Sequence, residues 1–215
     1  MNDMLHDRIV WSLAAMLFVL SGISPVAADG SPPAVIHVDA DNDPSGCAAS
    51  ELGDSWDCAY SKLQTALSDA GSSNELWIAE GVYTPDPGGT DKTESFRLPG
   101  GKDGIELYGG FQSGDGFDER DPEGHPTILS GDIEGDDDPF EPNTDSDGSG
   151  TTLKQTDHIS GPNSHHVLFL DGTTGVKITT STVIDGVTVT AGNASGATKP
   201  QAGGLYCDGS GSGNE

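Results

Sequence analysis

At 215 residues the chain has room for one domain of ordinary size or two small ones. Its 35 acidic against 9 basic residues give a formal net charge of −26, so nucleic acid and anionic lipid are repelled and make poor partners. With 31 glycines, 13 prolines and 33% hydrophobic residues, long helices are disfavoured as well. Glycine costs about 1 kcal/mol and proline about 3 kcal/mol at an interior helical position. A turn-rich β protein or a partly disordered acidic one remains.

Residues 1–28 read as a secretory signal. Arg8 closes a polar start, Ile9 to Leu20 is an apolar run, and Val26-Ala27-Ala28 offers small residues for cleavage before Asp29. The run is shorter than the ~20 apolar residues of a membrane-spanning helix, and no later segment is apolar enough to span. Asp3 and Asp7 offset Arg8, which keeps an uncleaved anchor as the alternative. Removal of the signal predicts a secreted or cell-surface protein with no transmembrane span. Cys47 and Cys58 lie among turn residues in a pattern suited to a small disulfide loop, worth about 3 kcal/mol by chain entropy. Zinc is the competing reading, but neither cysteine belongs to a C-x-x-C and no histidine pair has ligand spacing nearby. Cys207 is left over, and the expected place for its partner is beyond Glu215.

Residues 29–74 are predicted to form an N-terminal cap region. Ala34 to Val38 is a β-rich run ending in the acidic turn Asp39 to Gly46. A helix follows near 55–70, with Asp54 or Ser55 as N-cap, Ala59, Leu63, Ala66, Leu67 and Ala70 on one face, and Gly71 as the stop. From residue 75 onward the pattern changes to short β runs at Glu75–Ala79, Gly81–Pro85, Ser95–Leu98, Gly104–Tyr108, Thr127–Gly131, His166–Leu170, Val176–Thr179, Val183–Val189 and Gly204–Cys207. Ile105 to Ile128, Val167 to Ile184 and Ile184 to Leu205 are steps near 20 residues, a period that predicts a solenoid. Asn-Gly hairpin signals are missing. The longer step from Ile128 to Val167 holds an acidic insertion at about 132–150, and the one-sided helix near 55–70 is placed to cap an end.

Ser55-Trp56 to Ala59-Tyr60, Leu63 to Leu67 and Leu76-Trp77-Ile78-Ala79-Glu80-Gly81-Val82-Tyr83-Thr84-Pro85 resemble the N-terminal cap of exported right-handed parallel β-helix proteins. Those belong to the pectin-lyase-like superfamily and include polymorphic-outer-membrane-protein-like surface proteins. Ile105 to Phe111, Arg120-Asp121 with Pro126 to Ile133, Val183 to Val189 and Gly203-Gly204-Leu205-Tyr206 are similar to that superfamily's coils, so the resemblance covers about residues 35–207. It implies an all-β fold, a right-handed parallel β-helix with an N-terminal amphipathic capping helix and first coils over 75–215. Such proteins continue through many more coils, so the chain is expected to be an N-terminal fragment.

Asp132 to Asp147 contains eight carboxylates and no base. Calcium prefers carboxylate oxygens, which makes Asp132, Asp136, Asp138, Asp145 and Asp147 the candidate ligands. Asn143 to Gly148 carries alternating ligands but lacks the bidentate glutamate of a complete calcium loop, and Asp39 to Asp43 shows similar alternation ahead of Pro44. A solvated insertion without metal stays open beside the calcium reading. A lyase needs calcium-held carboxylates and a Lys or Arg base, and a hydrolase needs converging acids. Asp171, Asp185, Lys177, His165 and His166 match neither pattern, so no catalytic residue is assigned. His165-His166 precedes a strand, with one ring expected inside, and Asn193-Ala194-Ser195 is a glycosylation sequon. The expectation is a non-enzymatic surface scaffold or adhesin-like protein whose partner is carbohydrate or another surface protein. The alternatives are a polysaccharide lyase or glycoside hydrolase with catalytic coils downstream, and a calcium-stiffened envelope component.

Overall fold

The computed structural model describes residues 35–137, 159–173, 177–194 and 203–209. Among them lie ten strands: β1 (Val35–Val38), β2 (Glu75–Ala79), β3 (Gly81–Tyr83), β4 (Phe96–Pro99), β5 (Glu106–Phe111), β6 (Thr127–Ser130), β7 (Leu168–Asp171), β8 (Val183–Asp185), β9 (Val187–Thr190) and β10 (Leu205–Asp208). One α-helix, α1 (Leu63–Asp69), and five short 3-10 helices complete the elements. The strands form three parallel sheets, ordered β1-β2-β5-β8, β10-β7-β4 and β3-β6-β9.

Register aligns like with like. Ile36, Leu76, Leu107 and Ile184 follow one another across the four-stranded sheet. Phe96, Leu168 and Leu205 do so in the second sheet, and Tyr83, Leu129 and Val189 in the third. Leu76, Leu107, Leu98, Leu168 and Leu129 belong to a single apolar cluster, so all three sheets share one core. Strand alternation leaves the residues between these rows facing out.

These findings correct the expected all-β right-handed parallel β-helix. The described residues form three separate short sheets, of four, three and three strands, beside an α-helix, and the register carries no uniform repeat. Partners lie 40 residues apart from Val35 to Glu75, 31 from Glu75 to Glu106 and 77 from Glu106 to Val183. The period near 20 arose from steps between strands of different sheets. Ile105 to Ile128 runs from the start of β5 to β6, and Ile184 to Leu205 runs from β8 to β10, neither of which pair.

The expected helix near 55–70 shortens to Leu63–Asp69. Trp56–Cys58 is a 3-10 helix instead, and Tyr60 bridges to Val38, so the chain ahead of Leu63 is held extended against β1. Leu63, Ala66 and Leu67 are the buried face, as the stripe predicted. At the far end Lys102 Nζ donates to the carbonyls of Leu67, Ser68 and Ala70, each at 2.6 Å, and so satisfies terminal acceptors that the short helix leaves open. The run read as Val176–Thr179 carries no strand over its described part, Lys177–Thr179. The run Val183–Val189 divides into β8 and β9 at Gly186, whose φ of 70° suits glycine.

The disulfide is present between Cys47 and Cys58. Its loop packs beside β1: Gly53 donates to the Cys58 carbonyl at 2.7 Å, and His37 N donates to the Gly53 carbonyl at 2.9 Å. Such a bond belongs to an oxidising, extracytoplasmic setting. Cys207 is a free, exposed thiol on β10. No helix among the described residues is long and apolar enough to cross a membrane.

Candidate functional site

Among the described residues two places concentrate chemistry-bearing side chains, and the first is acidic. Asp132, Asp136 and Asp137 each present a carboxylate oxygen within 4.8 Å of the others. The sequence pattern named Asp132 and Asp136 but passed over Asp137, while Asp138, Asp145 and Asp147 lie outside the described residues. Asp132 turns the chain back on itself: its Oδ1 accepts from Gly135 N (2.7 Å) and Asp136 N (3.1 Å), and its Oδ2 accepts from Asp137 N (3.1 Å). Asp137 ties the turn to the following segment, accepting from Ser160 N at 2.6 Å and from Asn163 Nδ2 at 2.7 Å. Asn163 is fully buried, opposes Asp132 in an antiparallel bridge and also donates to the Ala191 carbonyl at 3.0 Å. Its Oδ1 has no hydrogen-bond partner among the described residues. The three carboxylates could hold a divalent cation such as calcium, which takes six to eight oxygens. Amide donors already engage the carboxylates of Asp132 and Asp137 without an ion.

The second place is aromatic, and sequence reading missed it. His37, Trp77 and Tyr108 occupy matching positions on β1, β2 and β5, followed by Asp185 on β8. Each ring lies between buried neighbours on its strand, so all three point away from the core. That parity was readable from Ile36-His37-Val38, Leu76-Trp77-Ile78 and Leu107-Tyr108, but alignment of the three strands was needed to bring the rings into one row. Two short 3-10 helices and the end of β5 enlarge the row. Trp56 sits 4.7 Å from His37 between ring centroids, Phe111 stacks on Trp77 at 5.2 Å, and Phe117 stands 5.1 Å from Tyr108 and 5.8 Å from Trp77. Trp56 Nε1 donates to the Asp115 carbonyl at 2.9 Å, which fixes the loop that carries Phe117.

Carboxylates and one guanidinium complete this face. Trp77 Nε1 donates to Glu75 at 2.9 Å and the Tyr108 hydroxyl donates to Glu106 at 2.6 Å. That bond to the carboxylate, with smaller contributions from burial and charge, pushes the Tyr108 phenol up to about 12. Arg120 lies over the Tyr108 ring at 5.4 Å and pairs with Asp185 at 2.6 Å. Burial lowers the His37 pKa more than the Gly53 carbonyl and Asp54 raise it, so the imidazole is neutral at pH 7.

The remaining residues singled out by sequence are spread through the fold. Asp171 is buried at the end of β7, where Arg97 and Thr173 hold it. Asp185 is taken up by Arg120, and Lys177 is exposed. His166 is the buried member of the histidine pair and stacks on Tyr206 at 4.6 Å, while His165 is half-buried and donates to the Asn193 carbonyl at 3.1 Å. In the other acidic turn, Asp39 accepts from Asp41 N and Asp43 from Ser45 N, both as local turn contacts. Comparison of the chain with family models, with curated proteins and with solved structures finds no match.

Proposed function

We propose that this chain is an exported, secreted or cell-surface scaffold of adhesin-like type, which binds a partner through the outer face of its four-stranded sheet. The row His37, Trp77 and Tyr108, widened by Trp56, Phe111 and Phe117, carries the reading. Aromatic rings on the outward side of the sheet, packed over the buried Phe111 and ending in Phe117 at 44% exposure, form the kind of patch that marks binding surfaces. The extracytoplasmic setting is supported by the Cys47–Cys58 bond and by the signal-like residues 1–28.

The test is retention of the purified, disulfide-intact protein on a panel of defined extracellular proteins and soluble or immobilised glycans. Retention on at least one member, reduced by Phe117→Ala, is expected. Retention that Phe117→Ala leaves unchanged would remove the aromatic face from the function. Cleavage of any glycan on the panel would favour the alternative, a polysaccharide lyase or glycoside hydrolase.

A second reading rests on the acidic turn, in which a divalent cation joins Asp132, Asp136 and Asp137 and draws in the Oδ1 of buried Asn163, which has no partner among the described residues. On this reading, calcium stiffens an envelope component. Calcium should then raise the melting temperature above that in sodium chloride of equal ionic strength, and Asp132→Asn with Asp136→Asn should abolish the difference. Equal melting in the two salts would reduce the turn to a solvated insertion.

A further inference from the structure

We infer that the partner segment taken by this face is basic, and that an arginine guanidinium seats against Phe117 among the carboxylates around it. The inference rests on the proposed binding role of the face and adds the chemistry of what is bound.

Three observations carry it. Phe117 is an exposed ring held from behind by Tyr108 and Trp77, so its outer side is open to a guest while its position is fixed. Its chain neighbours Asp118 and Glu119 are exposed, and Glu106 is bonded to the hydroxyl of Tyr108, the ring against which Phe117 stands. An aromatic face is negative at its centre, so ring and carboxylate together select a cation over a neutral or anionic group. The fold also uses this combination twice on its own behalf: Arg120 lies over Tyr108 beside Asp185, and Arg97 lies 5.6 Å over Phe169 beside Asp171. The surface around Phe117 offers the same ring and acids to a guanidinium from outside.

Charge supports the same partner. A net charge of −26 draws basic segments in and keeps acidic ones away. On the face itself His37 is neutral at pH 7 and the Arg120 charge is answered by Asp185, so no cation of the face competes for the exposed carboxylates beside Phe117. Arginine fits better than lysine, because a planar guanidinium can lie on a ring and bond a carboxylate at its edge.

Any polycation will associate loosely with so acidic a protein, so the experiment separates the site from the field. Titration calorimetry at physiological salt would compare a short peptide carrying two arginines with the same peptide carrying citrulline, the uncharged isostere. The full disulfide-bonded chain is used throughout. The arginine peptide is expected to bind about tenfold more tightly than the citrulline peptide. Phe117→Ala and Phe117→Leu should lose that advantage, and Phe117→Tyr should keep it. Glu106→Gln should weaken binding more than Glu94→Gln, an equal charge change at an exposed site on another loop. Near-ultraviolet circular dichroism checks that each variant is folded.

Full binding by Phe117→Leu, or equal losses from Glu106→Gln and Glu94→Gln, would overturn the proposal. So would equal affinity for the two peptides. The broader reading fails separately. If panel retention depends on Phe117 but the retained partner is an uncharged glycan, the face stands and only its assigned partner falls.

Discussion

Thr127 is a small side chain at a crowded junction. It is almost fully buried, its hydroxyl accepts from Gly110 N at 2.9 Å, and it lies 3.1 Å from the carbonyls of both Ile78 and Ala79. One hydroxyl thus ties β6 to the kinked stretch of β2 and β5, where the register shifts between Ile78 and Ala79. Thr127→Val keeps the shape and removes these hydrogen bonds at a buried junction, and a loss of about 1–3 kcal/mol is expected from urea unfolding. An unchanged midpoint would show that water replaces the hydroxyl. His37 gives a pH signature. Its folded pKa is lowered by burial, so the unfolded chain binds the proton more readily. The stability it contributes is complete above the unfolded value of 6.5 and is lost as pH falls through the lower folded value. Unfolding midpoints should decline between pH 7 and pH 5, and His37→Gln should flatten that decline; an equal decline in the variant would assign the effect to the carboxylates. Of these roles the sequence disclosed little. Thr127 looked like one more β-branched strand residue, because its partners Ile78, Ala79 and Gly110 lie far from it along the chain.

At the scale of elements, local chemistry was legible and long-range pairing was not. The runs Glu75–Ala79, Gly81–Val82-Tyr83 and Thr127–Ser130 are strands because they are β-branched, aromatic and bounded by turn residues. Assigning them to sheets needs to know which run lies beside which, and steps along the chain cannot supply that when consecutive strands belong to different sheets. The helix was overextended because Ala59 keeps the helical spacing although it is buried in an extended stretch whose next residue, Tyr60, bridges to Val38 of β1. The acidic turn was half legible. Charge density pointed to Asp132 and Asp136, whereas Asp137 joins them through a fold that also brings Asn163 and Ser160 to it. The disulfide was readable, because cysteine spacing and turn residues are local. Its sequence separation of 11 sets the size of the effect: Cys47→Ser with Cys58→Ser should cost about 3 kcal/mol, measured as a drop in melting temperature. A loss under 1 kcal/mol would mean that the Gly53 hydrogen bonds to Cys58 and His37 hold the loop unaided.

For the whole molecule, charge sets stability and association in opposite directions. With 35 acids against 9 bases, most carboxylates can have no basic partner, and compaction brings like charges together. Salt shortens the range of that repulsion, from about 30 Å at 0.01 M to about 3 Å at 1 M. The urea midpoint should therefore rise with sodium chloride across this interval, urea being uncharged and leaving ionic strength free to vary. The few attractive pairs oppose the trend weakly, since Arg97–Asp171 and Arg120–Asp185 each include an exposed side chain. A midpoint that falls with salt would mean that those pairs outweigh the general repulsion. Affinity for a basic peptide should move the other way, weakening as the same salt screens attraction between unlike charges. Opposite slopes from one preparation would separate two effects of one cause, because a salt that merely loosened the fold would lower both together. The part of the affinity that survives at 1 M salt belongs to short-range contact with the rings, and it is the part that Phe117→Ala should remove.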